Sequence, residues 1–86
     1  MTHKTRRYIS IFAKGSDELV NELDFAQQPS AATLRTIFNI NDPADRLYNE
    51  YPIDTNAAAN LKNLVNGFFD LNNYDYFLSC EQIVDP

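Results

Sequence analysis

The chain has 86 residues and a formal charge of −5, which is enough for one small domain with a modest core. Hydrophobic residues make up 44% of the chain and aromatic residues 13%, so the composition is that of a folded domain and excludes wholesale disorder. No apolar run approaches the roughly 20 residues of a membrane-spanning helix. The polar N-terminus lacks the apolar segment of a secretory signal. We therefore expect a single domain over residues 1–86 that does not enter a membrane.

Metal, disulfide and nucleophilic chemistry have few residues to work with. The chain contains one cysteine, Cys80, and one histidine, His3, so no internal disulfide can form and no metal site is predicted. A catalytic thiol would need a base within hydrogen-bond reach, and we interpret Cys80 instead as a buried structural thiol. The two glycines, Gly15 and Gly67, lie too far apart for a phosphate-binding loop. The sequence therefore predicts a cytoplasmic protein that is not an enzyme and uses no cofactor.

Charge is unevenly distributed along the chain. Residues 1–14 carry four basic side chains and no acid, whereas the other 72 residues carry three basic and all twelve acidic side chains, a charge of −9. Such an acidic body repels nucleic-acid phosphates and attracts basic proteins. We expect residues 1–6 to be a flexible basic stretch and the cations of this region to lie along a solvated strand edge.

The first two elements are predicted from alternating apolar residues. Residues 7–13 are rich in β-branched and aromatic side chains, which is typical of a strand. A turn signal follows at residues 14–17. Residues 18–25 fit either a strand or a helix, and we favour a strand because a glycine-containing turn between two alternating runs is typical of a hairpin.

Helices are predicted in the middle of the chain. Ser30 is a good N-cap and is followed by apolar residues at helical spacing. Asp42 is suited to cap a short second helix over residues 43–48, with a proline at its first position where a missing N–H is harmless. The Tyr51-Pro52 pair ends that helix, because proline pushes its predecessor out of helical geometry.

The clearest helix is predicted over residues 56–66, after an N-cap at Asp54 or Thr55. Its apolar stripe continues to Phe68, and Gly67 is expected to end the helix. Residues 74–81 alternate again and predict a last strand. The element order ββαααβ predicts an α+β fold, in which a small antiparallel three-stranded sheet has its helices packed on one face.

Two groups of acids and tyrosines give the best functional signal. Residues 42–54 pack four acids and two tyrosines into thirteen positions, and residues 70–76 form a second group. Tyrosine is a frequent interface anchor, and carboxylates around it steer a basic partner; each tyrosine is alternatively a core aromatic. The predicted partner-binding residues are Asp42, Asp45, Tyr48, Glu50, Tyr51, Asp54, Asp70 and Asp75.

Three segments carry a resemblance to known proteins: RRYISIF at 6–12, YNEYPI at 48–53 and FDLNNYDYF at 69–77. With them, the chain resembles small acidic bacterial immunity proteins of contact-dependent growth inhibition, or polymorphic toxin, systems, and is similar to an uncharacterised family of short bacterial domains. The resemblance implies a cytoplasmic inhibitor that binds a cognate toxin, often a nuclease, in a 1:1 complex. It transfers no functional residue, because immunity proteins share no common catalytic signature.

Two other functions stay open at this point. A non-catalytic interaction module or homodimeric adaptor would pair through an open sheet edge, and would show concentration-dependent self-association. An enzyme with a carboxylate site would need a pocket of converging acids with raised pKa values.

Overall fold

The computed structural model describes the backbone of residues 2–85 and the side chains of residues 5–82. In this fold a four-stranded antiparallel sheet packs against two helices, with strand order β2-β1-β4-β3. The elements are β1 (Thr2–Ala13), β2 (Leu19–Asp24), α1 (Ala31–Ile37), β3 (Tyr51–Pro52), α2 (Thr55–Leu61) and β4 (Tyr74–Asp85). The α+β prediction is confirmed. The predicted ββαααβ order is wrong, because the described residues form one strand more and one helix fewer.

The two long strands, β1 and β4, form the centre of the sheet. Their register places Ile9 opposite Leu78 and Ile11 opposite Tyr76, and because side chains alternate between faces these four share one face. All four are buried. β1 is therefore a central strand and not the solvated edge we predicted. It begins at Thr2, so that residues 2–6, which were expected to be flexible, pair with β4 in the structure.

The ambiguous segment after the first turn is a strand, β2, as we favoured. It pairs with β1 in an antiparallel hairpin, with an irregularity in register between Ile11 and Phe12. The turn uses left-handed backbone at Gly15 and Asp17, with φ of 83° and 55°. These conformations suit a glycine and an aspartate, since neither pays the full steric cost of a bulky side chain there.

The predicted short helix over residues 43–48 is wrong; that segment is a loop. Asp42 and Asp45 do act as caps, but of isolated turns: their side chains accept hydrogen bonds from the N–H groups of Ala44 and Leu47 at 2.9 and 2.7 Å. Such local bonds compete with the bonds of a helix. Leu47 has a φ of 56° and is fully buried, so the turn conformation directs its side chain into the core.

The sequence did not reveal β3. Tyr51 and Pro52 pair with Leu78 and Phe77 of β4 at the edge of the sheet. An edge strand tolerates proline, because the missing N–H can face away from its neighbour. The proline that predicted the end of a helix therefore marks a short edge strand.

Both remaining helices begin where their caps predicted. The Ser30 hydroxyl accepts from the N–H of Thr33 at 3.1 Å, and the Asp54 carboxylate accepts from the N–H of Ala57 at 2.8 Å. α2, however, ends at Leu61, five residues before the predicted end. Residues 64–66 instead pair with the end of β2, so strand-like hydrogen bonding replaces the last helical turn.

The core lies between the helices and the β1–β4 pair. Its fully buried residues are Ile9, Leu34, Leu47, Leu61 and Leu78. The opposite face of the sheet carries Phe12 and Phe77 in edge-to-face contact, with ring centroids 5.5 Å apart. Cys80 is half-buried, less than we predicted. No helix in the described part of the chain has both the length and the apolar character needed to cross a lipid bilayer.

Substituting Leu78 with alanine tests the packing at the centre of this core. We expect Leu78→Ala to lower the free energy of unfolding by about 2–5 kcal/mol, since it removes a fully buried side chain and leaves a cavity. Leu19→Ala is the matched control: Leu19 is 51% exposed, and we expect a change within about 0.5 kcal/mol. Urea denaturation followed by circular dichroism measures both. Equal losses in the two variants would contradict the described packing.

Candidate partner-binding surface

Asp45 and Tyr51, both predicted to contact a partner, contact each other within the fold. Asp45 Oδ1 accepts from the N–H of Leu47 at 2.7 Å, and its Oδ2 accepts from the Tyr51 hydroxyl at 2.8 Å. The pKa of Asp45 is lowered mainly by the hydrogen bond from the Leu47 N–H and then by the one from the Tyr51 hydroxyl. The positive charge of Arg35 lowers it to a smaller degree. The bond to Asp45, with burial, raises the pKa of Tyr51. The Tyr51 ring packs against the Phe38 ring, with ring centroids 5.9 Å apart. The Asp45–Tyr51 hydrogen bond therefore ties the loop before β3 to the packed side chains.

Three other predicted acids also have structural partners. Asp54 is the N-cap of α2. Asp70 Oδ2 accepts from the side-chain amide of Asn73 at 2.9 Å, and Asp75 forms an ion pair with Lys14 at 2.8 Å. The fold does bring two of them together, because Asp54 and Asp75 line one open hollow of about 230 Å³. Through these contacts the three acids stabilise local structure, and their charges contribute to the electrostatic field at the surface.

Four of the predicted residues are exposed: Asp42, Tyr48, Glu50 and Asp54. Of these, Asp54 is already used as the N-cap of α2. Tyr48 has 59% of its surface accessible, although its neighbour Leu47 is fully buried. Within the described residues, neither Tyr48 nor Glu50 makes a side-chain hydrogen bond. We call Asp42, Tyr48 and Glu50 the β3 loop patch. These residues belong to the loop that leads into β3, and they give it an exposed aromatic side chain and two exposed carboxylates.

Arg6 of β1 forms ion pairs within the fold. Its partners are Asp24 and Glu81, the latter at 2.7 Å, and Glu22 lies 3.9 Å away. The Arg6 guanidinium also lies over the Tyr8 ring, 4.4 Å from its centroid. Burial, followed by the charges of Glu22 and Glu81, raises the pKa of Tyr8. One arginine therefore faces three carboxylates, and this face of the sheet keeps a negative excess.

An apolar groove lies at the other edge of the sheet, and we did not predict it. It has a volume of about 380 Å³ and lies between β2 and the loop that follows residue 66. We call it the β2 groove, and define it by Val20, Leu23, Phe68, Asp70 and Tyr74. Phe68 is 79% exposed and Val20 47%.

Phe68 was predicted to lie on the apolar stripe of a helix, but it is exposed in the structure. Its place on the predicted apolar stripe depended on a helix that in fact ends at Leu61, so the side chain loses its helical direction and points to solvent. Leu19 and Val20 offered a usable signal: consecutive strand residues face opposite sides, so an apolar pair at a sheet edge leaves at least one side chain exposed.

Within residues 5–82, no three histidine, cysteine, aspartate or glutamate side chains converge to hold a metal ion. Asp45 has a lowered pKa, which is opposite to the raised value that a general acid needs at neutral pH. The geometry therefore defines a small α+β domain with an acidic surface and two exposed aromatic-containing regions.

The chain belongs to a protein family. A family model described as "Domain of unknown function (DUF7683)" matches residues 6–79, which extend from β1 into β4 and include both helices. This agrees with the resemblance to an uncharacterised short domain family. No curated protein matches the sequence. The similarity to immunity proteins stays a prediction.

The Asp45–Tyr51 contact predicts a pH-dependent stability. Because the pKa of Asp45 in the folded state lies below its ordinary value of 3.8, its charged form stabilises the fold above about pH 4, and the effect is lost as the pH falls through the lowered pKa. We expect Asp45→Asn to have a lower urea midpoint than the wild type at pH 7, with the difference shrinking below pH 4.

Glu50→Gln is the control, because it makes the same chemical change at an exposed residue of the same loop. Its urea midpoint should match that of the wild type throughout. An Asp45→Asn protein as stable as the wild type at pH 7 would contradict a structural role for this carboxylate.

Proposed function

We propose that this protein is an immunity protein: it binds a cognate bacterial toxin, a nuclease, and neutralises it by covering the toxin's basic surface. The observation that carries the proposal is the β3 loop patch, where Tyr48 and Glu50 are exposed on an acidic body and have no side-chain hydrogen bonds among the described residues. An exposed side chain without such a bond is available for a partner.

Charge supports the same function. Residues 5–82 contain eleven acidic and six basic side chains. Their ion pairs use Arg6 and Lys14 with four of the acids, which leaves seven acids outside ion pairs. A nuclease must present cations to the phosphate backbone of its substrate. An acidic surface is complementary to such a site and accelerates association with it.

Inhibition by occlusion requires no catalytic group in the inhibitor, which fits the side-chain chemistry of the described residues. In this proposal Tyr48 is the anchor, since an aromatic side chain buries a large area with few rotatable bonds. Asp42 and Glu50 pair with cations of the toxin. Asp45 and Tyr51 hold this loop in position through the hydrogen bond between their side chains.

A homodimeric adaptor is the alternative, and the sheet edges argue against it. β3 has two residues and contains a proline, and both short length and proline hinder edge-to-edge pairing. The C-terminal end of β2 is already hydrogen-bonded to residues 64–66. Sedimentation velocity from 10 to 500 µM distinguishes the two functions: the adaptor associates with itself, and the immunity protein stays monomeric until its toxin is added.

The test uses the toxin domain encoded directly upstream of this gene. We expect the wild type to bind it in a 1:1 complex, and the double variant Tyr48→Ala/Glu50→Lys to bind at least about tenfold more weakly, because it loses an anchor and reverses a steering charge. Isothermal titration calorimetry gives the affinity, and growth of cells expressing the toxin gives the protection.

The double variant Tyr48→Phe/Glu50→Gln is the control, because it keeps the ring and the size of both side chains. It should lose less affinity than the first variant. If the first variant binds and protects like the wild type, the β3 loop patch is the wrong surface. If the wild type does not bind the domain at all, the proposed function is wrong.

A further inference from the structure

The β2 groove is a second exposed region, at the opposite edge of the sheet from the β3 loop patch. Three strand spacings separate the two edges, roughly 14 Å, which lies within the width of an ordinary protein interface. We propose that the groove takes an apolar side chain from a basic segment of the protein partner. This rests on the proposed function for the identity of the partner, and on the groove alone for its chemistry.

The shape of the groove is built by Gly67. Its φ is 153°, and a Cβ placed there would lie 2.7 Å from a methyl carbon of Leu23. A residue with a Cβ rarely adopts this φ and would also displace the Leu23 side chain, so glycine is favoured at this place in the groove. The next residue, Phe68, is held on the rim with 79% of its surface exposed, facing an opening lined also by Val20 and Tyr74. An incoming apolar side chain would be enclosed between these groups and exclude water from them.

The charge around the groove selects a cationic occupant. Asp70 is the charged residue among those that line it, and the adjacent hairpin turn carries the exposed acids Asp17 and Glu18. An apolar side chain flanked by lysine or arginine would satisfy both features. A second copy of this chain would bring a net charge of −5 toward the same acids, so like-charge repulsion disfavours self-association here.

The hydrogen bonds of β2 indicate a side chain as the occupant and not an added strand. The N–H of Glu22 is already bound by the Asn21 side chain at 2.8 Å. Further along the same strand, the Asp24 carbonyl and the Ala26 N–H are paired with residues 64–66. Strand addition depends on a continuous row of unpaired backbone groups along an edge, and these three bonds interrupt that row.

A titration with short peptides tests the groove without any toxin. The probe is the capped pentapeptide Lys-Lys-Phe-Lys-Lys, added to the isotope-labelled protein and followed by two-dimensional NMR. We expect saturable shifts at the amides of Val20, Phe68 and Tyr74. Replacing the peptide's phenylalanine by alanine, or its lysines by glutamates, should weaken binding by about tenfold.

Two protein variants complete the test. Phe68→Ala should weaken binding of the probe by about tenfold, and its exposed position keeps the fold intact, as a thermal melt would verify. Tyr48→Ala, which removes an exposed aromatic side chain at the other edge, should bind the probe like the wild type. Equal binding of the phenylalanine and alanine peptides, or an unchanged affinity in Phe68→Ala, would overturn the proposal. So would tight binding of the glutamate peptide, or shifts at these amides that depend on protein concentration alone.

The outcomes are separable from those of the toxin experiment. A groove that binds the probe in a protein that ignores the toxin domain would leave this inference standing and refute the immunity function. A protein that binds the toxin domain while its groove ignores the probe would do the reverse.

Discussion

The pairing of β1 with β4 is the interaction on which the rest of the structure depends. These strands are far apart in sequence, yet they run antiparallel over their whole length and bring Ile9 against Leu78. Every other part of the fold attaches to this pair: β2 and β3 flank it, and the core residues of α1 and α2 pack against its apolar face. Long-range pairing of this kind is slow to form but strongly specified, because a slip of one residue would turn the apolar side chains to the other face.

The same pair organises the charge of the molecule. Because β1 is central, Arg6 lies close to acids of both neighbouring strands and forms ion pairs with Asp24 of β2 and Glu81 of β4. Lys14, which directly follows β1, forms an ion pair with Asp75 of β4. These two cations are therefore paired with acids inside the fold. The acids of the loops and of the hairpin turn then contribute most to the electrostatic field outside the molecule, which fits the basic partner that we propose.

Local signals in the sequence predicted the elements, and tertiary contacts decided the exceptions. The caps at Ser30 and Asp54 and the alternation in β1 and β4 act over a few residues, so they were readable. The helix predicted over residues 43–48 is absent because the Leu47 side chain packs into the core. The sequence alone does not show that contact. β3 was hidden because its two residues become a strand only beside β4, and the strand–helix ambiguity of β2 was correctly resolved by its glycine turn.

Tertiary contacts also decided which of the predicted site residues have a structural role and which are exposed. Acid and tyrosine content identified the loop before β3, but composition does not distinguish a carboxylate that holds a turn, such as Asp45, from one that is free to meet a partner, such as Glu50. The exposed Phe68 was assigned to a helix that ends early. Only the tertiary structure shows that the two exposed aromatic regions lie at opposite edges of one sheet.

The central claim is that this acidic surface acts by binding a cationic protein. The most direct measurement is the association rate constant of the wild-type protein with the toxin domain that we propose as its partner, taken by stopped-flow fluorescence between 50 and 500 mM NaCl. The account predicts a fast association that slows steeply as salt screens the opposite charges. A rate that does not change with salt, or the absence of any complex, would contradict it.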